Sequence, residues 1–420
     1  MKKTQCKAML LTMSCIIFCS FVNAQGKQHE PITRQLINMV EHNAEIRNML
    51  ISSIEKAHKM NPDKVTNPAQ TLEEYYDFID WSAKAMPWSI LEAQVYSSLY
   101  EQMYQALTYF YFINDQPLKA LGNKGYYNNS LQYHEPYRTW LIEFIKQYGM
   151  FLSTTESWNV QYYQKVLADK SFGLQKGWYE DPSNWKSFND FFARHLKSPD
   201  VRPISSPQNV SVMVAPADSQ VQGVWSIDGN SNLQEKDGII IKSDRLTSIA
   251  NLIGEDSAYN TAFSNGTMTH AYLDVNDYHR YHFPVDGTVK EVRIMKGDVA
   301  VGGIVTWDSK ENKYLFDASE PGWQTIQTRG CVIIETETFG LVAILTVGMS
   351  QISSVLFEDN VQPGNTFRKG DQLGYFLFGG SDMVMIFQDH VDFTLTVPLE
   401  RDGTYEKRLM GEEYGTLSVK

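Results

Sequence analysis

From Pro31 to about Ala168 the apolar positions recur every three or four residues, the spacing that lines one face of a helix. Ile32, Leu36, Ile37 and Val40 form one stripe, and Ile46, Leu50 and Ile54 form the next. Thr71-Leu72-Glu73-Glu74 has the form of a capping box and opens another helix. A third stripe runs from Leu91 through Val95, Leu99, Met103 and Leu107 into Tyr109-Phe110-Tyr111-Phe112, and a fourth carries Trp140, Leu141, Phe144 and Ile145. The aromatics of this half read as core filling, with a ligand pocket as the alternative. Asp181-Pro182-Ser183-Asn184 breaks the helical period. A short amphipathic helix then begins at Ser187 and ends near Lys197, and Ser198-Pro199 with Arg202-Pro203 marks an extended connector.

From Val210 onward the texture changes to short alternating runs rich in Val, Ile, Thr and Gly. Gly238-Ile239-Ile240-Ile241, Gly287 to Val292 and Cys331 to Thr336 read as strands. A Pro-x-Asp turn leading into a strand occurs twice, at Ala215-Pro216-Ala217-Asp218 and at Phe283-Pro284-Val285-Asp286. Lys-Gly-Asp turns repeat at Lys296-Gly297-Asp298 and Lys369-Gly370-Asp371. The pattern predicts an α+β protein: a helical part over 25–180, then a β-rich sandwich or barrel of the lipoyl-like kind over 181–420.

The first 24 residues stand apart. Lys2, Lys3 and Lys7 lead into an apolar stretch from Ala8 to Val22, and Val22-Asn23-Ala24 has the small residues a signal peptidase accepts. That stretch is shorter than the ~20 residues needed to span a bilayer. It predicts a secretory leader cut near Ala24 and an exported protein, periplasmic or secreted. Cys6, Cys15 and Cys19 belong to the leader, which leaves Cys331 without a partner for an internal disulfide. The 420 residues carry 37 basic and 49 acidic side chains, a formal charge of −12. That balance argues against a nucleic-acid partner, which needs a basic face for phosphates.

Three stretches place reactive groups at tight turns: Asp218 after Pro216, His279 and His282 in Tyr278-His279-Arg280-Tyr281-His282-Phe283-Pro284, and Ser381 in Phe378-Gly379-Gly380-Ser381-Asp382. Each alone also reads as a turn cap, a polar strand edge or a flexible loop. Metal ligands at a recognisable spacing are missing, so no metal site is expected. Together the residues form a Ser, His and Asp set, but the Gly-x-Ser-x-Gly elbow of a hydrolase is absent. Two glycines before Ser381 instead leave the Gly380 carbonyl open to approach, which suits a serine attacking its own preceding peptide bond.

These motifs, in this order, resemble the phosphatidylserine decarboxylase family. The resemblance runs from about Phe188 to the C-terminus. It adds Phe191-Phe192-Ala193-Arg194, Arg202-Pro203, Val347-Gly348-Met349-Ser350 and Lys369 to Phe376 to the stretches above. The family's Pro-Ala-Asp-Gly is here Pro216-Ala217-Asp218-Ser219, and its Leu-Gly-Ser-Thr is here Gly379-Gly380-Ser381-Asp382. The resemblance implies a zymogen that cuts itself between Gly380 and Ser381. His282, oriented by Asp218, would take the Ser381 proton, and Ser381 would become a covalent pyruvoyl group, the only cofactor. It implies that His279 assists decarboxylation or reprotonation.

As substrate it implies phosphatidylserine, giving phosphatidylethanolamine and CO2 as a step of phospholipid biosynthesis. The alternative is a free amino acid such as tryptophan, because the helical half is similar to the extra N-terminal region of soluble relatives. An unprocessed, non-enzymatic binding module is a third reading. The acid balance is unhelpful beside an anionic leaflet, although an amphipathic surface helix could still give peripheral membrane contact. A homo-oligomer is compatible with every reading.

Overall fold

The computed structural model describes residues 27–91, 95–121, 129–234, 248–297, 304–317, 326–349 and 354–420. The expected leader, the strand expected at 238–241, Asp298 and Ser350 lie outside the described residues. The helical part contains α1 (Pro31–His42), α2 (Ala44–Met60), α3 (Leu72–Ser82), α4 (Leu99–Asn114), α5 (Tyr137–Leu152) and α6 (Val160–Ala168). The stripes read from the sequence face the core on α1 (Ile32, Leu36 and Val40, with Ile37 half-buried), on α2 (Ile46, Leu50 and Ile54) and on α5 (Trp140, Leu141, Phe144 and Ile145). Thr71 caps α3 by accepting from the Glu74 amide, while Glu74 reaches back to the Gln70 amide, so the capping box closes one residue early.

The third stripe is shorter than its spacing suggested. The Ser98 hydroxyl accepts from the Glu101 amide and starts α4 there, which leaves Leu91 and Val95 in the segment before it. Tyr109, Phe110, Tyr111 and Phe112 are all buried in the core. A short helix, α7 (Phe188–Phe192), follows the Pro182 turn. It is held by a complete capping box in which Ser187 and Asp190 bond each other's backbone amides.

The strands follow in chain order: β1 (Val212–Val214), β2 (Ser219–Ser226), β3 (Thr267–Leu273), β4 (Arg280–His282), β5 (Gly287–Met295), β6 (Ile304–Asp308), β7 (Lys313–Asp317) and β8 (Thr328–Thr336). They continue as β9 (Gly340–Met349), β10 (Val355–Phe357), β11 (Thr366–Phe367), β12 (Gln372–Phe376), β13 (Gly380–Phe387), β14 (Val391–Leu395), β15 (Lys407–Arg408) and β16 (Glu413–Val419). A further short helix, α8 (Ile249–Ile253), lies between β2 and β3. Eight strands form one open antiparallel sheet in the order β11-β5-β8-β9-β13-β3-β2-β15. Small sheets β1-β16-β14 and β10-β12-β4 and the hairpin β6-β7 complete the β part. The α+β division is as the sequence predicts, and among the described residues the strands do not close into a barrel.

The large sheet buries both faces, as strand alternation requires of a central layer. On β13, Met383, Met385 and Phe387 enter the main core, while Val384 and Ile386 enter a second cluster with Trp225, Ile253 and Cys331. Cys331 is a buried free thiol whose pKa burial pushes up to about 12. The main core runs unbroken from Ile32 to Leu417 across residue 180. Tyr314 on β7 fastens the two parts. Its backbone exchanges two hydrogen bonds with the Gln105 side chain of α4, and its hydroxyl takes one from Asn61 and gives one to the Thr66 carbonyl.

Candidate active site

The two Pro-x-Asp turns face each other. The Val214 amide donates to the Pro284 carbonyl at 3.0 Å, and the His282 amide donates to Pro216 at 2.8 Å. The Lys369-Gly370-Asp371 turn closes over them: the Gly370 amide donates to Phe283, and the Phe283 amide donates to Asp371. Gly370 holds a φ of 90°, where a side chain is strained and would meet Ile204. The internal echo of the sequence is therefore a packed device that fixes Asp218 and His282.

Asp218 is 3% exposed and forms an ion pair with Arg202 at 2.9 Å, also buried. Its other oxygen accepts from the Met410 amide at 2.8 Å. The Arg202 guanidinium lies 3.7 Å from the Trp178 ring centroid. His282 uses both ring nitrogens elsewhere, with Nδ1 2.8 Å from the Gly370 carbonyl and Nε2 3.1 Å from the Tyr278 hydroxyl. A carbonyl only accepts, so Nδ1 carries the proton and Nε2 takes one from Tyr278. The relay Asp218 to His282 to Ser381 is thus not a hydrogen-bonded triad here, because the Arg202 guanidinium holds the carboxylate and Tyr278 and Gly370 hold the imidazole.

His279 differs from His282. Its Nδ1 donates to the Asp277 carbonyl at 3.0 Å, which leaves Nε2 with a bare lone pair, buried and unpartnered. Its ring stacks on Phe192 with centroids 3.7 Å apart, and Phe192 meets Phe378 edge-on at 5.4 Å. Phe378 is fixed by its amide, which donates to Asn189 of α7. Arg194, behind this cluster, donates to the Asn276 and Asp277 carbonyls. The sequence does not single out Asn189, and it marks Arg194 only within the Phe191-Phe192-Ala193-Arg194 motif, without this role.

Both imidazoles are held neutral. Burial pushes the His279 pKa well below its usual range, helped by the charge of Arg194, and burial brings His282 down to about 4 against a hydrogen bond to Gly370 that raises it. The folded state therefore binds fewer protons than the unfolded chain once the pH drops below about 6.5. Wild type should lose stability relative to His282→Gln as pH falls from 6.5 to about 4, by about 3 kcal/mol in total, and no further below that. Urea denaturation of both proteins across this window checks it; parallel curves would refute the assignment.

Ser381 is the second residue of β13, fully buried and paired in register with Gly348 of β9 and Leu273 of β3. Its hydroxyl has no hydrogen-bond partner. Gly379, two residues before it, adopts a φ of 143°, a conformation open in practice to glycine alone. Asp382, the departure noted in the motif, projects from the other face of the strand and bonds His270 at 2.6 Å.

A sequence model of the family described as phosphatidylserine decarboxylase matches residues 188–416. The "phosphatidylserine decarboxylase proenzyme 2" of Oryza sativa subsp. japonica is 32% identical over 216 residues, covering 51% of this chain and 31% of the rice protein. The "phosphatidylserine decarboxylase proenzyme" of Chlamydia pneumoniae is 33% identical over 205 residues, covering 49% and 60%. That of Fusobacterium nucleatum subsp. nucleatum is 29% identical over 240 residues, covering 56% and 72%. The chain thus spans less than two thirds of the rice and chlamydial proteins. All three similarities cover about half of this chain.

Proposed function

Because the chain belongs to the phosphatidylserine decarboxylase family, we propose that it is exported, cuts itself between Gly380 and Ser381, and then decarboxylates phosphatidylserine to phosphatidylethanolamine and CO2. The observation that carries this reading is the Ser381 hydroxyl, buried and without a partner two residues after a glycine with positive φ. A buried hydroxyl left unpaired costs about 1–3 kcal/mol. Such a group in a folded protein calls for an explanation, and chemistry at the adjoining peptide bond supplies one.

The maturation step balances with the chain's own atoms and water. Ser381 Oγ gives up its proton and attacks the Gly380 carbonyl carbon, and the amide becomes an ester with the Ser381 amine set free. Loss of the Ser381 α-proton expels the Gly380 carboxylate and leaves a dehydroalanine. Its hydrolysis releases ammonia and gives a pyruvoyl group. His279 is the better placed in protonation state to accept the first proton, since its Nε2 lone pair is bare. His282 would have to give up its bond to Tyr278 before acting as the base. Phe192 covers the His279 ring and keeps bulk water from it.

A serine behind two glycines fits the pyruvoyl group, which supplies a ketone that takes up a substrate amine and an electron sink for the departing CO2. Intact-mass measurement of the purified protein tests the reading. The expected result is a large fragment that begins at Gln25 and ends at Gly380, with a second fragment from 381 to Lys420 blocked at its N-terminus. A single uncut chain would overturn it. CO2 release from phosphatidylserine vesicles, set beside free tryptophan and other amino acids, tests the substrate, and release from an amino acid alone would replace the lipid.

A further inference from the structure

Behind β13, on the face away from the Ser381 side chain, lies a cavity of about 190 Å³ between α4 and the large sheet. This volume is roughly that of six waters in the liquid, enough for a small organic ion. Its walls are aromatic: Tyr100 and Tyr104, one helical turn apart on α4 with ring centroids 6.1 Å apart, Tyr272 on β3 and Phe316 on β7. Its floor is acidic. Asp382 is 1% exposed and bonds His270 through one oxygen, while its other oxygen is buried with no partner. Asp274, on the same wall, accepts from the Tyr100 hydroxyl at 2.7 Å. The nearby cation Lys407 is committed to Asp277. Gln222, exposed on β2, stands at the mouth.

We propose that this cavity binds a small organic ammonium ion, held by Asp382 and Asp274 and enclosed by Tyr100, Tyr104, Tyr272 and Phe316. Ring faces attract a cation through their quadrupole, and do so most when water is displaced. The carboxylate oxygen without a partner is the complement such an ion supplies: a buried charge left half paired is costly, and an entering positive charge offsets that cost. Burial already pushes the Asp382 and Asp274 carboxyls above their usual range, as expected of acids waiting for a counter-ion. The site gives the helical part a task, because two of the four aromatic walls come from α4. It does not depend on self-cleavage, since its groups lie on the reverse of the strand.

Isothermal titration calorimetry of the purified full chain with choline, ethylamine and the neutral carbon analogue dimethylbutanol tests the proposal. Choline or ethylamine should bind saturably at one site per chain, at least about tenfold more tightly than the neutral analogue, and Asp382→Asn should weaken binding at least about tenfold. Tyr104→Leu, a half-buried wall residue, should weaken it by about three- to thirtyfold and keeps the test open if Asp382→Asn fails to fold. Three results would overturn it: no saturable heat with either amine, equal affinity for the neutral analogue, or full competition by potassium at equal concentration. Loss of decarboxylase activity with amine binding intact would count against the proposed function and leave this site standing.

Discussion

Ser381→Ala is expected to yield one uncut chain with decarboxylation reduced to the uncatalysed background, and a fold more stable than the precursor's by about 1–2 kcal/mol. Both halves follow from the same atom. The hydroxyl is fully buried on a central strand, so removing it removes the nucleophile that the proposed maturation requires. It bonds nothing, so removing it also removes a desolvated polar group without orphaning a neighbour. A methyl group in its place sits among Leu273, Ala271 and Met383 on the main-core face of the sheet. Denaturing electrophoresis, CO2 release and urea unfolding measure the three outcomes. Two fragments persisting in this variant would move the cut elsewhere, and a loss of stability would mean the hydroxyl has a partner after all. The pairing of lost activity with gained stability is the usual signature of a site kept at a cost to the fold.

Arg202→Ala is expected to lower unfolding stability by about 3–5 kcal/mol. The Arg202–Asp218 pair is buried on both sides, and its loss would leave a buried carboxylate without its ion-pair partner, holding only the Met410 amide by hydrogen bond. The guanidinium also lies over the Trp178 ring, so its packing goes with its charge. The double variant Arg202→Met with Asp218→Leu should recover most of the loss, because an apolar pair avoids the desolvation that the ion pair must overcome. The double variant also separates two roles for Asp218. If the carboxylate serves only as a clamp on the turn, the stabilised double variant still cuts at 380/381. If it also orients His282, cutting slows although the fold has recovered.

Much of the fold was legible because burial obeys period. The stripes on α1 and α2 are one-dimensional signals of which face meets the core, and the apolar run of β8 marks a strand buried on both faces. The start of the Ser187 helix and the Pro182 break were legible for the same local reason, since caps and prolines act within four residues, but the helix stops at Phe192, short of the expected end near Lys197. The start of α4 was missed because hydrophobic spacing carried on through Leu91 and Val95 while the Ser98 cap, a local competitor, decided the boundary. At the site, the types of the residues were readable and their partners were not. The paired turns join the Asp218 and His282 segments through the His282 amide and the Pro216 carbonyl, but Arg202, Tyr278 and Gly370 take the polar side-chain atoms. Asp382 read as a disturbance of the motif. Strand alternation turns it away from Ser381, to a histidine 112 residues earlier that no local pattern links to it.

The place of β13 in the sheet bears on how the protein can come apart. This strand is bonded along its length to β9 on one side and β3 on the other, and the residues after it supply β15 beside β2 and β16 beside β1. The proposed cut at its first peptide bond would turn one folded chain into two, joined through the middle of a sheet. Folding of the precursor is then unimolecular, whereas refolding of the cut form requires two chains to meet and to rebuild a central strand from a loose end. The cut form would owe its persistence to the height of its unfolding barrier, and dilution after denaturation would return far less protein than was unfolded.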